Sequence, residues 1–402
     1  MVAALIRVFG VHNLTLAEDV VQDALCRALE VWKLRGMPDN PSAWLMKTAK
    51  NQAIDVLRRE RTARTFAPEL TRLLESEWTF APTIEEAFGP HAIQDDELRM
   101  MFSCVSPRLP EEAQIALILH ILCGFSVGEI AGAFLSSEAA IEKRISRAKK
   151  ILSTSNKLFD LSGTEDFRVR LTAVQRALYL LFNEGYHGSG TQTVVRVELC
   201  REAMRLCSLL ADNPLAATPQ TQALLALMCL HGARLQSRVN ESGGLSLLPD
   251  QDRSQWDAGL ITEGQRLLDL SARGEVLSEY HIEAAIAWCH GTATSIGDTN
   301  WAQIVSLYDM LMDIRPTPVV ALNRAIAIAQ HQGPEEGLAA IRAIEDCERL
   351  RGYPFYPIAL GEFEFQCGRP AAAREQFSAA LALARNPIEQ KFIQQRIGAC
   401  DT

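Results

Sequence analysis

The apolar positions of this chain follow a helical period from end to end. They recur at steps of three and four residues, and no run of alternating β-branched residues is long enough to build a sheet. The pattern therefore predicts an all-α protein. At 402 residues the chain is too long for one ordinary core, and the usual ~100–200 residues per domain indicates about two to four domains.

Prolines and glycines divide the helical pattern into four parts. Pro68, Pro82 and Pro90 interrupt one stretch, and segments rich in Ala and Leu fill the chain from about residue 165. We expect a first helical block at 1–62, a linker at 63–95, a second helical block at 96–155 and a helical extension at 165–402.

The first block begins with a helix, around Leu16 to Trp32, that has an apolar face and an acidic face. At 100° per residue, the expected core arc collects Leu16, Val20, Val21, Ala24 and Ala28, flanked by Leu25 and Leu29. A stripe on another side collects Asp19, Gln22, Asp23, Cys26 and Glu30. From this helix alone, the stripe is best explained as an ordinary solvent-exposed face.

The next helix has a clear start, with Asn40 as its N-cap and Pro41 at its first position. Its predicted inner face consists of Leu45, Ala49, Ala53, Val56 and Leu57. Its outer arc gathers Trp44, Lys47, Thr48, Asn51, Asp55, Arg58 and Arg59. An aromatic ring among bases and amides suits single-stranded nucleic acid, where stacking is worth roughly 1–3 kcal/mol per base. The alternative is that Trp44 packs against a neighbouring helix.

The second block has the pattern of a helix-turn-helix. Ser126 and Glu129 have capping-box spacing, a short helix follows to Phe134, and Ser137 can cap a longer helix. The inner face of that helix is Ile141, Ile145, Ala148 and Leu152, and Ala139, Lys143, Ser146, Arg147 and Lys150 point outward. A helix with a basic outer face suits the major groove, where Lys143 and Arg147 reach bases or phosphates and Glu142 accepts from cytosine. A generic helical hairpin is the alternative.

The distribution of charge matters more than the net charge of −9. Lys and Arg outnumber Asp and Glu by six to two from Trp44 to Arg64 and by five to two from Glu138 to Lys150. Between these basic stretches, Thr65 to Leu98 carries eight acidic residues and one base. Both predicted nucleic-acid faces are therefore basic inside an acidic protein.

Several classes of protein are not favoured. The ten cysteines stand singly without a C-x-x-C pair, which predicts reduced, buried thiols in a cytoplasm and no metal site. No apolar run reaches the ~18 residues of a membrane span, and the first ten residues lack the features of a signal peptide. We predict no membrane association.

The extension contains two similar segments, which start at Val319 and Ile358 and each read as helix, turn, helix. Their turn glycines, Gly333 and Gly368, lie 35 residues apart, close to the ~34-residue tetratricopeptide period. This predicts a tetratricopeptide-like domain, with a generic helical bundle as the alternative.

The segment LFNEGYHGSG, from Leu181, is expected to end an apolar helix and form its C-cap and turn at its glycines. Four polar side chains there are candidates for a ligand pocket or an interface: Asn183, Glu184, Tyr186 and His187. No nucleophile is placed beside them, so we predict no catalytic residue, no cofactor and no enzyme activity.

The motifs resemble those of a known family. AEDVVQDAL followed by PSAWLMKTAKNQAIDVLRRER resembles the part of extracytoplasmic-function sigma factors, in the bacterial sigma-70 family, that grips RNA polymerase and opens the −10 element. GFSVGEIAGAFLSSEAAIEKRISRAKKIL resembles their −35-reading domain. LYLLFNEGYHGSG and LLPDQDRSQWD resemble the C-terminal extension of a subgroup with a tetratricopeptide-like domain.

This resemblance implies a sigma factor built from region 2, an acidic linker, region 4 and the extension. It implies that Asp19, Gln22 and Asp23 contact the β′ clamp helices of the polymerase core. The residues implied at the melted −10 DNA are Trp44, Lys47, Asn51, Asp55, Arg58 and Arg59. Those implied at the −35 duplex are Ser137, Glu138, Ala139, Glu142, Lys143, Arg144, Ser146, Arg147 and Lys150.

Further expectations follow from the same resemblance. The extension is implied to regulate the sigma core, with another part of the chain or a separate protein as its partner. Family members have about two more helical turns before the position of Met1, so the first block is expected to be truncated at its N-terminus. Ala139 and Ala140 replace larger or polar residues early in the recognition helix, so the resemblance does not predict which −35 sequence this helix recognises.

Two other classes of function compete with a sigma factor. A one-component helix-turn-helix regulator with a helical sensor would need no single-strand surface, so the face from Trp44 to Arg59 argues against it. An enzyme or scaffold built on the extension is the third class.

Overall fold

A computed structural model describes residues 13–63, 108–134, 136–153, 164–187, 195–238, 248–384 and 387–401, with positions 1–2, 5–6, 98, 101–102, 104–105 and 246. Sixteen α-helices have both ends in these residues, which contain no strand. The predicted all-α class is confirmed. The chain divides into two compact units, Met1–Ala177 (unit 1) and Leu178–Thr402 (unit 2). The predicted linker at 63–95 falls almost wholly outside the described residues.

Unit 1 contains both predicted blocks and the first part of a further helix. Its helices are α1 (Leu14–Arg35), α2 (Pro41–Ala63), α3 (Glu111–Ile121), α4 (Val127–Ala133), α5 (Glu138–Ser153) and the start of α6 (Thr164–His187). Helices α1 and α2 pack together, and α3, α4 and α5 form a second group. The start of α6 belongs to the same unit, because the Phe167 ring stacks on Phe102 at 5.2 Å and Arg170 donates to the Phe102 carbonyl at 3.2 Å.

The core face of α1 agrees with the expected arc at Val20, Ala24 and Ala28 and differs from it at other positions. Its buried side chains are small or medium in size: Leu14, Ala17, Val20, Ala24 and Ala28. Leu16 and Val21 are half-buried, whereas Leu25 and Leu29 are exposed by 46% and 76%. Alanines are also buried on α2, at Ala49 and Ala53, and small side chains allow two helices to approach closely. The larger leucines of α1 therefore lie outside this interface.

The predicted start of α2 is confirmed. Asn40 Oδ1 accepts a hydrogen bond from the Ala43 amide at 3.0 Å, and Pro41 is the first helical residue. An N-cap of this kind satisfies a backbone donor that has no partner within the helix. On the inner face, Leu45 and Val56 are half-buried, while the side chain of Leu57 lies outside the described residues.

Unit 2 consists of the end of α6 and ten further helices, joined in places by short 3₁₀ turns. These helices are α7 (Val197–Asp212), α8 (Pro219–Gly232), α9 (Ala258–Ser271), α10 (Glu279–Thr292), α11 (Trp301–Ile314), α12 (Pro318–Gln332), α13 (Pro334–Arg342), α14 (Phe355–Gln366), α15 (Pro370–Leu383) and α16 (Pro387–Ala399). Each packs mainly against helices that are near it in sequence, which is typical of repeat proteins.

The two similar segments of the extension are each a pair of helices joined by a turn, as predicted: α12 with α13, and α14 with α15. Their turns contain Gly333 and Gly368 with φ of 110° and 73°, a backbone region that favours glycine. Pro334 and Pro370 then begin the second helix of each pair, where the missing amide hydrogen costs little. The 35-residue spacing in the sequence therefore corresponds to a repeated structural unit.

All ten cysteines are free thiols, but they are not all buried. Burial raises the pKa of Cys104, Cys200 and Cys229 to about 12, which keeps these thiols protonated. Cys26 on α1 is exposed, so the prediction of buried thiols is wrong for this residue. Among the described residues, no group of His, Cys, Asp and Glu is arranged to hold a metal ion, and no helix is long and apolar enough to cross a membrane.

Candidate nucleic-acid interface

The acidic stripe predicted on α1 is an exposed surface. Asp19, Gln22 and Asp23 are all exposed. The exposed leucines Leu25 and Leu29 lie three and seven residues after Gln22, so they share a helix face with it. This face therefore combines carboxylates, an amide and uncovered apolar surface.

The neighbouring acid on α1 has a structural contact instead. Both carboxylate oxygens of Glu18 accept from Lys149 Nζ of α5, at 3.0 and 2.8 Å, and both side chains are about three-quarters buried. This ion pair connects the first helical block to the helix-turn-helix within unit 1. Glu18 therefore helps to hold α1 against α5, whereas Asp19 and Asp23 are exposed to solvent.

On α2, the predicted outer face is exposed at Lys47, Asn51 and Asp55. Trp44 is half-buried, and its ring meets the ring of Trp32 edge-on at 5.5 Å and 62°. The alternative in which Trp44 packs against a neighbouring helix is therefore correct in part, since the ring contacts Trp32 of α1 and the side chain is only partly accessible. The side chains of Arg58 and Arg59 lie outside the described residues.

The first helix of the helix-turn-helix, α4, begins with the predicted capping box. Ser126 Oγ accepts from the Glu129 amide at 3.2 Å, and Glu129 Oε2 accepts from the Ser126 amide at 2.7 Å. These two bonds satisfy backbone donors at the helix start, which fixes where α4 begins. The capping-box prediction is confirmed.

The second helix, α5, is capped and packed as the sequence predicts. Ser137 Oγ accepts from the Ala140 amide at 3.3 Å. The predicted inner face is buried throughout: Ile141, Ile145, Ala148 and Leu152 are each at most 5% exposed. This burial fixes the rotation of α5, so the opposite face must point to solvent.

The outward face of α5 contains all but one of the predicted −35 residues. The exposed ones are Ser137, Glu138, Ala139, Glu142, Lys143, Ser146, Arg147 and Lys150. Within the described residues, neither Lys143 nor Arg147 takes part in an ion pair. Their charges are thus available to phosphates.

Arg144 departs from the expected DNA-facing position. Its guanidinium pairs with Glu112 of α3 at 2.8 Å and lies 5.7 Å from the centre of the Phe134 ring. Arg144 lies only about 60° from Ile141 around the helix, at the border of the buried face. It therefore helps to hold α5 against α3 and the turn.

The four candidate residues of the extension do not share one surface. Tyr186 and Glu184 are buried at 3% and 7% exposure, Asn183 is half-buried and His187 is exposed. Helix α6 continues past Gly185 and ends at His187, so Gly185 is not its C-cap, and the other two glycines of the predicted turn, Gly188 and Gly190, lie outside the described residues. A Cβ at Gly185 would lie 2.7 Å from Cys200 Sγ and 2.9 Å from the Arg196 carbonyl oxygen, so the close approach of α7 requires glycine here.

Tyr186 instead belongs to a cluster of cations and rings in unit 2. The Arg238 guanidinium carbon lies 3.9 Å from the centre of the Tyr186 ring, and that of Arg234 lies 5.7 Å from both Tyr186 and Trp256. His231 also meets Tyr186, at 5.0 Å between ring centres. Sequence analysis did not identify Arg234 and Arg238, whose only local signal is their spacing of four residues after an apolar helix.

Comparisons with known proteins agree with the two helical blocks of unit 1. Residues 1–63 match the family description Sigma-70 region 2, and residues 99–152 match Sigma-70, region 4. Residues 170–272 match a family of unknown function, DUF6596. No solved structure matches the chain.

A relative extends the similarity over the whole chain. An uncharacterized protein of Rhizobium meliloti (strain 1021) is 40% identical over 396 residues, which cover 98% of this chain and 92% of the relative. Regions 2 and 4 together bind RNA polymerase and promoter DNA, and their order here is that of a transcription initiation factor. The chain belongs to the sigma-70 family, as an RNA polymerase sigma factor of the extracytoplasmic-function kind with a helical C-terminal extension.

Proposed function

We propose that three surfaces of unit 1 divide the work of initiation and that unit 2 regulates it in the cytoplasm. The observation that carries this proposal is the orientation of α5. Four apolar side chains are buried on one face, while Lys143 and Arg147 stand unpaired within the described residues on the other. A capped helix held in this way presents its basic face to a major groove.

The face of α5 reads the −35 duplex in this proposal. Lys143 and Arg147 neutralise phosphates or donate to guanine, and Glu142 accepts from cytosine N4. Ser137, at the start of the exposed face, and Ser146, beside Arg147, add hydroxyl contacts. Ala139 and Ala140 leave room for a base edge or a thymine methyl group close to the helix backbone.

The face of α2 holds the melted −10 strand. The accessible part of Trp44 offers a stacking surface, and Lys47 supplies a positive charge one turn away. Asn51 and Asp55 continue the same face at steps of four, where their amide and carboxylate groups can discriminate base edges. The contact with Trp32 holds the Trp44 ring in one orientation before DNA arrives.

The stripe on α1 binds the β′ clamp helices of core polymerase. Asp19 and Asp23 provide charge complementarity to basic residues on the partner, and Gln22 provides a hydrogen-bonding amide. The exposed side chains of Leu25 and Leu29 supply the apolar area that an interface core needs.

Promoter-dependent run-off transcription tests this division of work. We expect the purified full chain to direct core polymerase to initiate at a promoter with matched −10 and −35 elements, and the chain alone to give no open complex. A one-component regulator would behave differently, since it would bind duplex DNA by itself and leave initiation by core polymerase unchanged. That result would contradict the proposal.

Regulation by unit 2 is tested by a truncation placed between the units. Residues up to Ala177 must be retained, because removal of Phe167 and Arg170 would uncover Phe102. We expect the 1–177 chain to differ from the full chain by several-fold in run-off transcription while it keeps its helical content by circular dichroism. Equal activity of the two chains would remove the regulatory role.

A further inference from the structure

Unit 2 contains a group of cationic and aromatic side chains, each with one buried nitrogen or oxygen atom that has no hydrogen-bond partner among the described residues. They come from the end of α6, from α8 and the turn after it, from the loop before α9 and from α10. The group comprises Tyr186, His231, Arg234, Arg238, Trp256 and His290. None of these residues contributes to the promoter or polymerase surfaces proposed for unit 1.

The two arginines of this group carry charge without a counterion. Arg238 is only 7% exposed, and its guanidinium lies over Tyr186, while Arg234 lies between Tyr186 and Trp256. In the part of the chain that the structure describes, neither forms an ion pair. Burial, followed by the neighbouring cations Arg238 and Arg253, lowers the pKa of Arg234. A buried guanidinium without an anion is costly, and contact with a ring face offsets only part of that cost.

Several hydrogen-bond donors in the group are also unused. The Nε atoms of Arg234 and Arg238, the Tyr186 hydroxyl and Trp256 Nε1 are buried and have no partner among the described residues. Arginine and tryptophan nitrogens can only donate, so an acceptor is what this group lacks.

The two histidines leave the charge of the group unchanged, because both are neutral. Burial, together with the neighbouring arginines, lowers the pKa of His231 well below its usual value and that of His290 to about 3. Both rings are therefore neutral at physiological pH, and their Nδ1 atoms lack partners as well. The group has an excess of positive charge that its own side chains do not balance.

Arg253, in the same region, has hydrogen-bond acceptors for its guanidinium group. Its Nη1 donates to the carbonyl oxygens of His290 and Ala293 at 2.6 and 2.7 Å, and its guanidinium lies 4.9 Å from the centre of the Trp256 ring. Arg234 and Arg238 have similar ring contacts, but within the described residues their guanidinium groups donate no hydrogen bond, and their buried Nε atoms have no partner. The difference points to an absent acceptor rather than to a general feature of this fold.

We propose that Arg234 and Arg238, with the Tyr186 hydroxyl and Trp256 Nε1, bind the phosphate group of a small molecule. A phosphate dianion matches the two arginine charges, and its oxygens can accept from donors that arrive from different sides. A carboxylate has one charge and two oxygens, so it would leave part of the group unsatisfied. The site lies wholly within unit 2, so the test of phosphate binding does not depend on the promoter-binding role proposed for unit 1.

Titration of the full chain tests this site, with inorganic phosphate, glycerol 3-phosphate and acetate as probes at equal ionic strength. We expect saturable calorimetric binding and a rise in the unfolding temperature with phosphate, with the ester, or with both, and neither with acetate. Tighter binding of the ester would identify a phosphorylated metabolite as the ligand, and equal binding would identify free phosphate. Both results support the site. Binding of acetate as tight as that of phosphate, or no binding of either phosphate probe, would overturn it.

Three variants of the full chain locate the binding. Arg238→Gln is expected to weaken phosphate binding roughly ten-fold or more, because it removes a charge-assisted donor. Tyr186→Phe keeps the ring under Arg238 and removes only the hydroxyl, so it should fold normally and bind phosphate more weakly. Arg273→Gln makes the same chemical change at an exposed arginine on the same unit and should leave binding unchanged. Phosphate affinity in Tyr186→Phe or in a folded Arg238→Gln variant equal to that of the unmodified chain would contradict the assignment.

Discussion

Replacing Asp19 and Asp23 together by lysine is expected to weaken binding of core polymerase by about a hundred-fold or more, because juxtaposed like charges at an interface cost several kcal/mol. Both carboxylates are exposed on α1 beside Leu25 and Leu29, so their replacement leaves the helix core intact. Run-off transcription should fall in parallel with binding, which can be measured by fluorescence anisotropy with core polymerase.

The matched control for this variant changes the same charge elsewhere. Asp269 and Glu275 are exposed acids of unit 2, and their double replacement by lysine alters the net charge equally. We expect that control to bind core polymerase as the unmodified chain does. If both double variants lost binding to the same extent, net charge rather than the α1 stripe would govern assembly, and the proposed clamp contact would be wrong.

The second large effect is expected at two arginines of α5 that are three residues apart. Arg147→Gln should lower holoenzyme affinity for a −35 duplex by about ten-fold, as loss of one phosphate or base contact predicts. The slope of log affinity against log salt concentration (the salt slope) should become shallower by about one. Its folding stability should not change, because Arg147 is exposed and has no ion pair within the described residues.

Arg144→Gln should show a different pattern. It breaks the ion pair with Glu112, and because both side chains are partly exposed, we expect the cost in unfolding free energy to be only about 0.5–1 kcal/mol. The salt slope of duplex binding should stay as it is in the unmodified chain. Binding measured over a series of salt concentrations, combined with thermal unfolding, separates the two outcomes. A reduced slope for Arg144→Gln would instead place this arginine on the DNA.

Local signals in the sequence predicted those parts of the fold that depend on local geometry. Asn40 and the Ser126–Glu129 pair mark helix starts, because a capping side chain bonds to an amide only three residues away. The inner face of α5 was predicted because four apolar residues at helical spacing have one way to be buried together.

The parts that sequence reasoning missed depend on contacts between distant residues. Helix projection placed Ala24 and Ala28 correctly in the core of α1. It also placed Leu16 and Val21 there, which are only half-buried, because projection cannot show how closely α1 and α2 approach. The arginine–aromatic group was also missed, because Tyr186, Arg238 and Trp256 are separated by long stretches of sequence and meet only in the folded unit. The ion pair of Arg144 could not be predicted either, because its partner, Glu112, comes from another helix.

The exposure of Cys26 makes the assembly of this factor open to chemical footprinting. Burial raises the pKa of several other thiols, among them Cys104 and Cys229, and since the thiolate is the form that reacts, those cysteines react slowly with alkylating reagents. Cys26 stands on α1 three residues after Asp23, on the acidic side of the helix. A maleimide pulse before and after mixing with core polymerase would therefore follow, in time, the covering of the surface on which the polymerase contact is proposed.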